Sequence, residues 1–195
     1  ILGGGFAGAY TARHLQDYFN VTLVDTKDYF EFTPSVLRVL VEPEHSTAIE
    51  ALHKQYLPKA SMVRGTVTEV TESEVIIDGE KSHSFDYLII CTGSHYNSHI
   101  KEENLIRSRR IQDLKKYALE VKEAHSVLIV GGGVVGTELA AEIVTAFPGK
   151  KIIIIDSNRE LLMRSPPKAR HYAQEFMKKH NIVMILGEKV VTEEK

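Results

Sequence analysis

Two short glycine runs hold the residues best suited to chemistry in this sequence. Gly3-Gly4-Gly5-Phe6-Ala7-Gly8 returns as Gly131-Gly132-Gly133-Val134-Val135-Gly136, both in the frame Gly-x-Gly-x-x-Gly. In each copy the first glycine (Gly3, Gly131) permits a tight turn. The second (Gly5, Gly133) lets the main chain approach a pyrophosphate, and the third (Gly8, Gly136) lets helix and strand pack closely. A diphosphate there meets unpaired N–H groups and the positive end of a helix dipole. About 20 residues on stands a carboxylate, Asp25 and Asp156, placed to accept hydrogen bonds from ribose hydroxyls. Two dinucleotide sites in one chain imply two cofactors brought together, and the chemistry that needs such a pair is hydride transfer from a nicotinamide to a flavin.

The elements that must position these residues are legible around them. Each glycine frame opens a run with small and apolar residues at three- and four-residue spacing, the mark of one buried helical face. Each helix yields to a β-branched run ending in the acid, Val21-Thr22-Leu23-Val24-Asp25 and Ile152-Ile153-Ile154-Ile155-Asp156. Residues 127–130 form a continuous apolar strand feeding the second glycine turn, as a parallel sheet covered on both faces requires. Between the two units the texture changes. Residues 62–70 and 75–78 alternate apolar and polar, with Asp78-Gly79 as a hairpin signal, and residues 85–91 read as a buried strand ending at Thr92-Gly93-Ser94. Residues 104–110 read as a polar, basic connector before a helix over 111–122. A further helix is expected over 168–180, after a loop stop at Pro166-Pro167, and a strand over 182–186.

Composition narrows the classes. The chain has 195 residues, 43% hydrophobic and 26% charged, with Lys+Arg 24, Asp+Glu 26 and a net charge of −2. That balance speaks against a nucleic-acid binder, which needs a basic excess to neutralise phosphates. One cysteine, Cys91, excludes a disulfide framework and a cysteine-built zinc site, and reads as a buried small side chain. The histidines are scattered; only His95 and His99 stand at i,i+4, with no helical pattern around them, so no metal site is assigned. Arg107, Arg109 and Arg110 read as solvated connector residues. No apolar run approaches the roughly 20 residues of a membrane-spanning helix. The opening Ile1-Leu2 reads as the tail of a strand, so a piece of a longer protein is expected, and targeting signals are unreadable.

Along essentially its whole length the chain resembles the two-dinucleotide-binding-domain flavoproteins. Within them it is most similar to the ferroptosis-suppressor and apoptosis-inducing-factor-like NAD(P)H:quinone oxidoreductases, with type II NADH dehydrogenases close behind. The stretches that carry the resemblance are the first glycine frame, Val24-Asp25-Thr26-Lys27-Asp28-Tyr29-Phe30, Phe32-Thr33-Pro34, Cys91-Thr92-Gly93-Ser94 and residues 131–143. The resemblance implies an α/β fold of two Rossmann-like units with parallel sheets and a three-stranded antiparallel insertion over residues 62–91. Residues 1–110 would form the first part of an FAD domain, and residues 111–195 an incomplete NADH domain.

It further implies that Gly3, Gly5, Phe6, Ala7, Gly8, Asp25 and Lys27 contact FAD. The Val67 main chain would meet the adenine, and Thr92-Gly93 would lie along the cofactor. Arg38, after the Phe-Thr-Pro stretch, is a weaker FAD contact. Gly131, Gly133, Gly136 and Asp156 would hold NADH, and Glu138 matches a family acid near where nicotinamide and flavin meet; its bland reading is an exposed first-turn acid. Asp156 favours the free 2′-OH of NADH over the 2′-phosphate of NADPH, a preference that Arg159 and Arg164 would soften. Disulfide reductases of the wider superfamily carry a cysteine pair soon after the first acid, and residues 25–40 hold none. A quinone or another small electron acceptor therefore becomes the expected partner. Peripheral membrane association would run through segments outside this chain, and localisation is left open between cytoplasm, membrane periphery and mitochondrion. The alternatives are a reductase of a small electron-carrier protein and a non-catalytic, redox-sensing nucleotide-binding subunit.

Overall fold

The computed structural model describes residues 1–94 and 106–191, which form α/β structure. The His95/His99 pair and the last four residues lie outside them. The chain divides into two compact units: Ile1–Val36 with His45–Asp113, and Leu37–Glu44 with Leu114–Lys195.

In the first unit, Gly3-Gly4-Gly5 turns directly into helix α1 (Phe6–Leu15), and the chain returns as strand β1 (Thr22–Asp25). β1 pairs in parallel with β4 (Ser61–Arg64), and Leu2 bridges in parallel to Val24 on one side and to Ile90 on the other. The parallel sheet is therefore ordered Ile90, Leu2, β1, β4. One face is closed by α1, where Ala12, Val21, Leu23 and Leu57 are buried together. The other is closed by an antiparallel sheet of β5 (Val67–Val70), β6 (Glu74–Ile77) and β7 (Lys81–Ser84), whose Val75 and Ile77 pack on Leu2 and Val24. Asp78 and Gly79 both take positive φ, 55° and 76°, as a tight hairpin between right-twisted strands requires.

Three readings of this region need correction. Residues 62–70 are two strands of different sheets rather than one strand of the insertion. The break falls at Gly65, where any side chain would run into Ile77 and Asp78. Residues 85–91 make a single bridge, at Ile90, and that side chain is 63% exposed because it stands at the sheet edge. The third antiparallel strand is instead the polar Lys81–Ser84, paired to β6 but largely exposed, so it carries no hydrophobic signature.

A hairpin-like pair, β2 (Tyr29–Glu31) and β3 (Glu50–Leu52), sets Glu31 directly opposite Glu50. Two short helices, α2 (Val36–Val39) and α3 (Ser46–Ile49), lie between them in sequence, and α4 (His53–Tyr56) follows β3. Helix α5 begins at Arg107, not at residue 111, and runs to Glu123. The cause is tertiary. Arg110 is fully buried on Glu31 at 2.8 Å, Arg107 reaches Glu50 at 3.3 Å, and the Arg107 N–H donates to Asp28 Oδ1 at 3.2 Å. Arginines in a first turn oppose the helix dipole, but two buried carboxylates outweigh it. Arg107 and Arg110 are thus structural ion-pair partners rather than solvated connector residues.

The second unit repeats the plan: β8 (Ser126–Val130), α6 (Val134–Ala146) and β9 (Lys151–Asp156), then α7 (Pro167–Lys179) and β10 (Val183–Leu186). Its parallel sheet is ordered β10-β9-β8. Ile129, Ile152 and Ile154 point to one face and pack with Ala140 and Ile143 of α6 and Met177 of α7. The expected cover on both faces is found on one only among the described residues: Leu128, Val130, Val183 and Ile185 are 61%, 64%, 46% and 39% exposed. Pro166-Pro167 starts α7 rather than merely ending a loop, since Pro167 stands at the first helical position, where its missing N–H costs nothing.

Candidate nucleotide-binding sites

The same local geometry is built twice. Gly3 and Gly131 hold φ of 91° and 111°, a left-handed bend that side-chain-bearing residues resist. A Cβ on Gly8 or Gly136 would strike the carbonyl oxygen of Gly3 or Gly131, so each third glycine is required for the helix to pass over its own bend. A Cβ on Gly5 or Gly133 would meet nothing within 4 Å. Those two residues are the N-caps of α1 and α6, and neither helix start has a side-chain cap. Each site therefore presents open space in front of uncapped helix N–H groups, the surroundings a diphosphate fits.

The acids brace these bends from behind. Asp25 Oδ2 accepts the N–H of Gly4, and Oδ1 accepts the Lys27 N–H at 2.9 Å and the Thr26 hydroxyl at 3.3 Å. Asp156 does the same in its own unit: Oδ2 accepts the Gly132 N–H at 2.5 Å, and Oδ1 accepts the Asn158 N–H at 2.6 Å and its side-chain amide at 2.8 Å. Burial pushes both carboxyls up, but donors win. The His53 imidazole and the Lys27 and Gly4 N–H groups hold Asp25 below the usual carboxylate range, and the Asn158 and Gly132 donors do so for Asp156. Both are ionised acceptors at neutral pH, the form a ribose diol needs.

Around the first site, Phe6 is half exposed and meets Phe30 and Phe32 edge-on at 5.2 and 5.3 Å, while Ala7 is exposed. The Lys27 ammonium stands 5.4 Å from the Tyr29 ring centre. Val67 opens β5, and Thr92 and Gly93 are exposed just past the Ile90 bridge. Cys91 is half-buried rather than buried, with its carbonyl against the Gly3 bend.

Arg38 lies in the short Leu37–Glu44 segment of the second unit. Its guanidinium pairs with Glu142 at 2.7 Å and with Glu42 at 3.7 Å. Glu138 is one helical turn before Glu142 on α6. Burial and the Glu142 charge push its carboxyl up, against a downward pull from Arg38. It borders a cavity of about 400 Å³ between α6 and α7, lined also by Val134, Ala141, Leu162, Tyr172 and Phe176. Sequence reasoning missed His53, Tyr56 and Glu142. Nothing in their local pattern marks them; only the chain's return to the two sites does. Arg159 and Arg164 are exposed.

Comparison with known proteins agrees with this geometry. The profile of the pyridine nucleotide-disulphide oxidoreductases matches residues 1–195. Apoptosis-inducing factor homolog A of Dictyostelium discoideum is 33% identical over 199 residues, covering 97% of this chain and 49% of that protein. Ferroptosis suppressor protein 1 of Xenopus tropicalis is 31% identical, over 97% of this chain and 52% of that protein. The chain thus spans about half the length of the curated relatives it matches. Among solved structures, NDH2 from Plasmodium falciparum in complex with NADH superposes with a TM-score of 0.73 at 20% identity, over 95% of this chain and 47% of that one. The putidaredoxin reductase of its covalent complex with putidaredoxin does so at 0.80 and 16% identity, over 100% and 50%. These likenesses show a shared fold, and with the match along its full length the chain belongs to the pyridine nucleotide-disulphide oxidoreductase family.

Proposed function

We propose that the protein is an FAD-dependent oxidoreductase that takes hydride from NADH and passes electrons to a quinone. One observation carries this reading: in both glycine frames the second glycine faces open space, the third packs on the backbone of the first, and an ionised aspartate braces the bend. A scaffold that had given up its ligands would have no need of either brace. FAD occupies the first site, held through α1, the open Gly5 and Asp25; NADH occupies the second, through α6, Gly133 and Asp156. The chemistry this pair supplies when bound is hydride transfer from nicotinamide to flavin, followed by delivery of the electrons to an acceptor. This chain's residues bind and orient. Asp156 accepts from the free ribose diol and opposes a 2′-phosphate, which sets NADH over NADPH. Glu138, on α6 one turn before Glu142, has its carboxyl pushed up by partial burial and by the Glu142 charge, and stands beside the cavity lined by Val134 and Tyr172.

The quinone rests on the resemblance to the ferroptosis-suppressor group and on residues 25–40 lacking a cysteine pair. A carrier protein is the second reading, favoured by the likeness to a reductase solved bound to putidaredoxin. The full-length protein should purify yellow and bleach under anaerobic NADH. Colourless protein that ignores NADH overturns the reading. Reoxidation by quinones but not by small iron–sulfur carriers selects the first acceptor, and the reverse selects the second.

A further inference from the structure

The two sites are near copies, and they differ behind the middle glycine. In the second unit, a Cβ on Gly132 would meet the Leu161 side chain beside Asp156; in the first, a Cβ on Gly4 would meet the imidazole of His53 beside Asp25. His53 is 1% exposed. Its Nε2 has no hydrogen-bond partner and faces Asp25 Oδ2 at 3.7 Å, while its Nδ1 lies 2.5 Å from the Tyr56 hydroxyl. Of the two neutral tautomers, one suits both contacts. With the Tyr56 hydroxyl donating to Nδ1, the ring carries its proton on Nε2 and points it at the carboxylate; the other tautomer sets a lone pair against a negative charge.

We propose that His53, backed by Tyr56, is a positioning residue of the first nucleotide site: its Nε2–H holds the Asp25 carboxylate turned toward the adenosine ribose. This rests on the first site being the FAD site. The need for it is physical. Asp25 is buried where Asp156 is partly open, and a buried carboxylate is costly without donors. The third donor is the Asn158 amide for Asp156 and the longer Thr26 hydroxyl contact, 3.3 Å, for Asp25; the imidazole is a further group that faces only the more buried acid.

The other charged groups near His53 are already engaged. The Lys27 ammonium stands over the Tyr29 ring. Asp28 accepts the His53 N–H through its carbonyl and the Arg107 N–H through its carboxylate, and Glu50 of β3 turns to Arg107. On its own helix, Gln55 turns back to the Leu52 N–H and Lys54 is exposed.

The test measures FAD retention by the full-length protein from pH 5 to 8.5, with NADH binding as the internal control. His53→Leu, which copies the wall of the second site, should weaken FAD binding about tenfold or more at pH 7. Because His53 holds Asp25 ionised, its loss lets Asp25 take up a proton at higher pH, so the acid loss of FAD should begin at a higher pH. His53→Gln, which keeps a neutral N–H, should stay within about threefold of the wild type. NADH binding should not move. Wild-type retention in His53→Leu, or equal weakening in His53→Leu and His53→Gln, overturns the proposal while the FAD assignment stands. Should His53→Leu not fold, Tyr56→Phe decides: an acid limb moved upward supports the relay, and an unmoved one overturns it. A colourless wild-type protein overturns both readings, since Asp25 then has no ribose to hold.

Discussion

The third and second glycines of each frame do different work, and single methyl groups separate them. At Gly8 an added Cβ collides with the Gly3 carbonyl, which belongs to rigid backbone and cannot rotate away. Gly8→Ala should therefore destabilise the fold by about 3 kcal/mol or more, read as a loss in denaturant midpoint. At Gly133 the added Cβ meets no protein atom, and the backbone there, at φ −73°, suits any residue. Gly133→Ala should leave stability within about 0.5 kcal/mol yet weaken NADH binding about tenfold or more in titration calorimetry. Equal effects of the two substitutions on stability would contradict the division between a packing glycine and a ligand-facing one.

At the scale of elements, the start of α5 is held by a four-charge cluster, buried except for the partly exposed Arg107, and this gives the fold a pH dependence. Burial and the neighbouring Glu31 charge push the Glu50 carboxyl up to about 7, against the downward pull of Arg107 and Arg110. The sign follows from linkage. A carboxyl whose folded pKa lies above its unfolded value keeps its proton in the folded state while the unfolded chain loses it, so stability falls as pH rises between about 4.5 and 7 and is level above. Glu50→Gln should remove that slope: relative to wild type it should gain on the order of 1–2 kcal/mol at pH 8 over its value at pH 5. Thermal melts at the two pH values check this, and parallel slopes for the two proteins would refute it. The two sheets of the first unit show the same logic in apolar form. β1 and β4 pair in parallel because one face is sealed by α1 and the other by the β5–β7 meander.

For the whole chain, the two units are unequal in cover. Leu128 and Val130 of β8 and Val183 and Ile185 of β10 flank Ile153 and Ile155 of the central β9 on one face of the three-stranded sheet, exposed among the described residues. A contiguous aliphatic face of this kind is adhesive in water. The chain of residues 1–195 on its own should bind an apolar fluorescent dye, and the pair Leu128→Lys with Val183→Lys should lower that signal at least about twofold without shifting the melting point downward. Undiminished fluorescence would locate the dye elsewhere. No helix among the described residues is long and apolar enough to cross a membrane.

Sequence alone determined what is periodic or short-range. The glycine frames, the helices behind them, the β-branched runs ending in Asp25 and Asp156, and the Asp78-Gly79 turn were all legible, because each is set by steric freedom or side-chain spacing within a few residues. Tertiary structure alone decided what closes at long range. That Arg110 is buried on Glu31, that Arg38 pairs with Glu142, and that His53 rather than a leucine backs Asp25 all depend on segments remote in sequence meeting in space. The polar strand Lys81–Ser84 and the edge position of Ile90 belong there too. An isolated stretch of chain carries no sign of whether a partner strand or a buried counter-charge will arrive beside it.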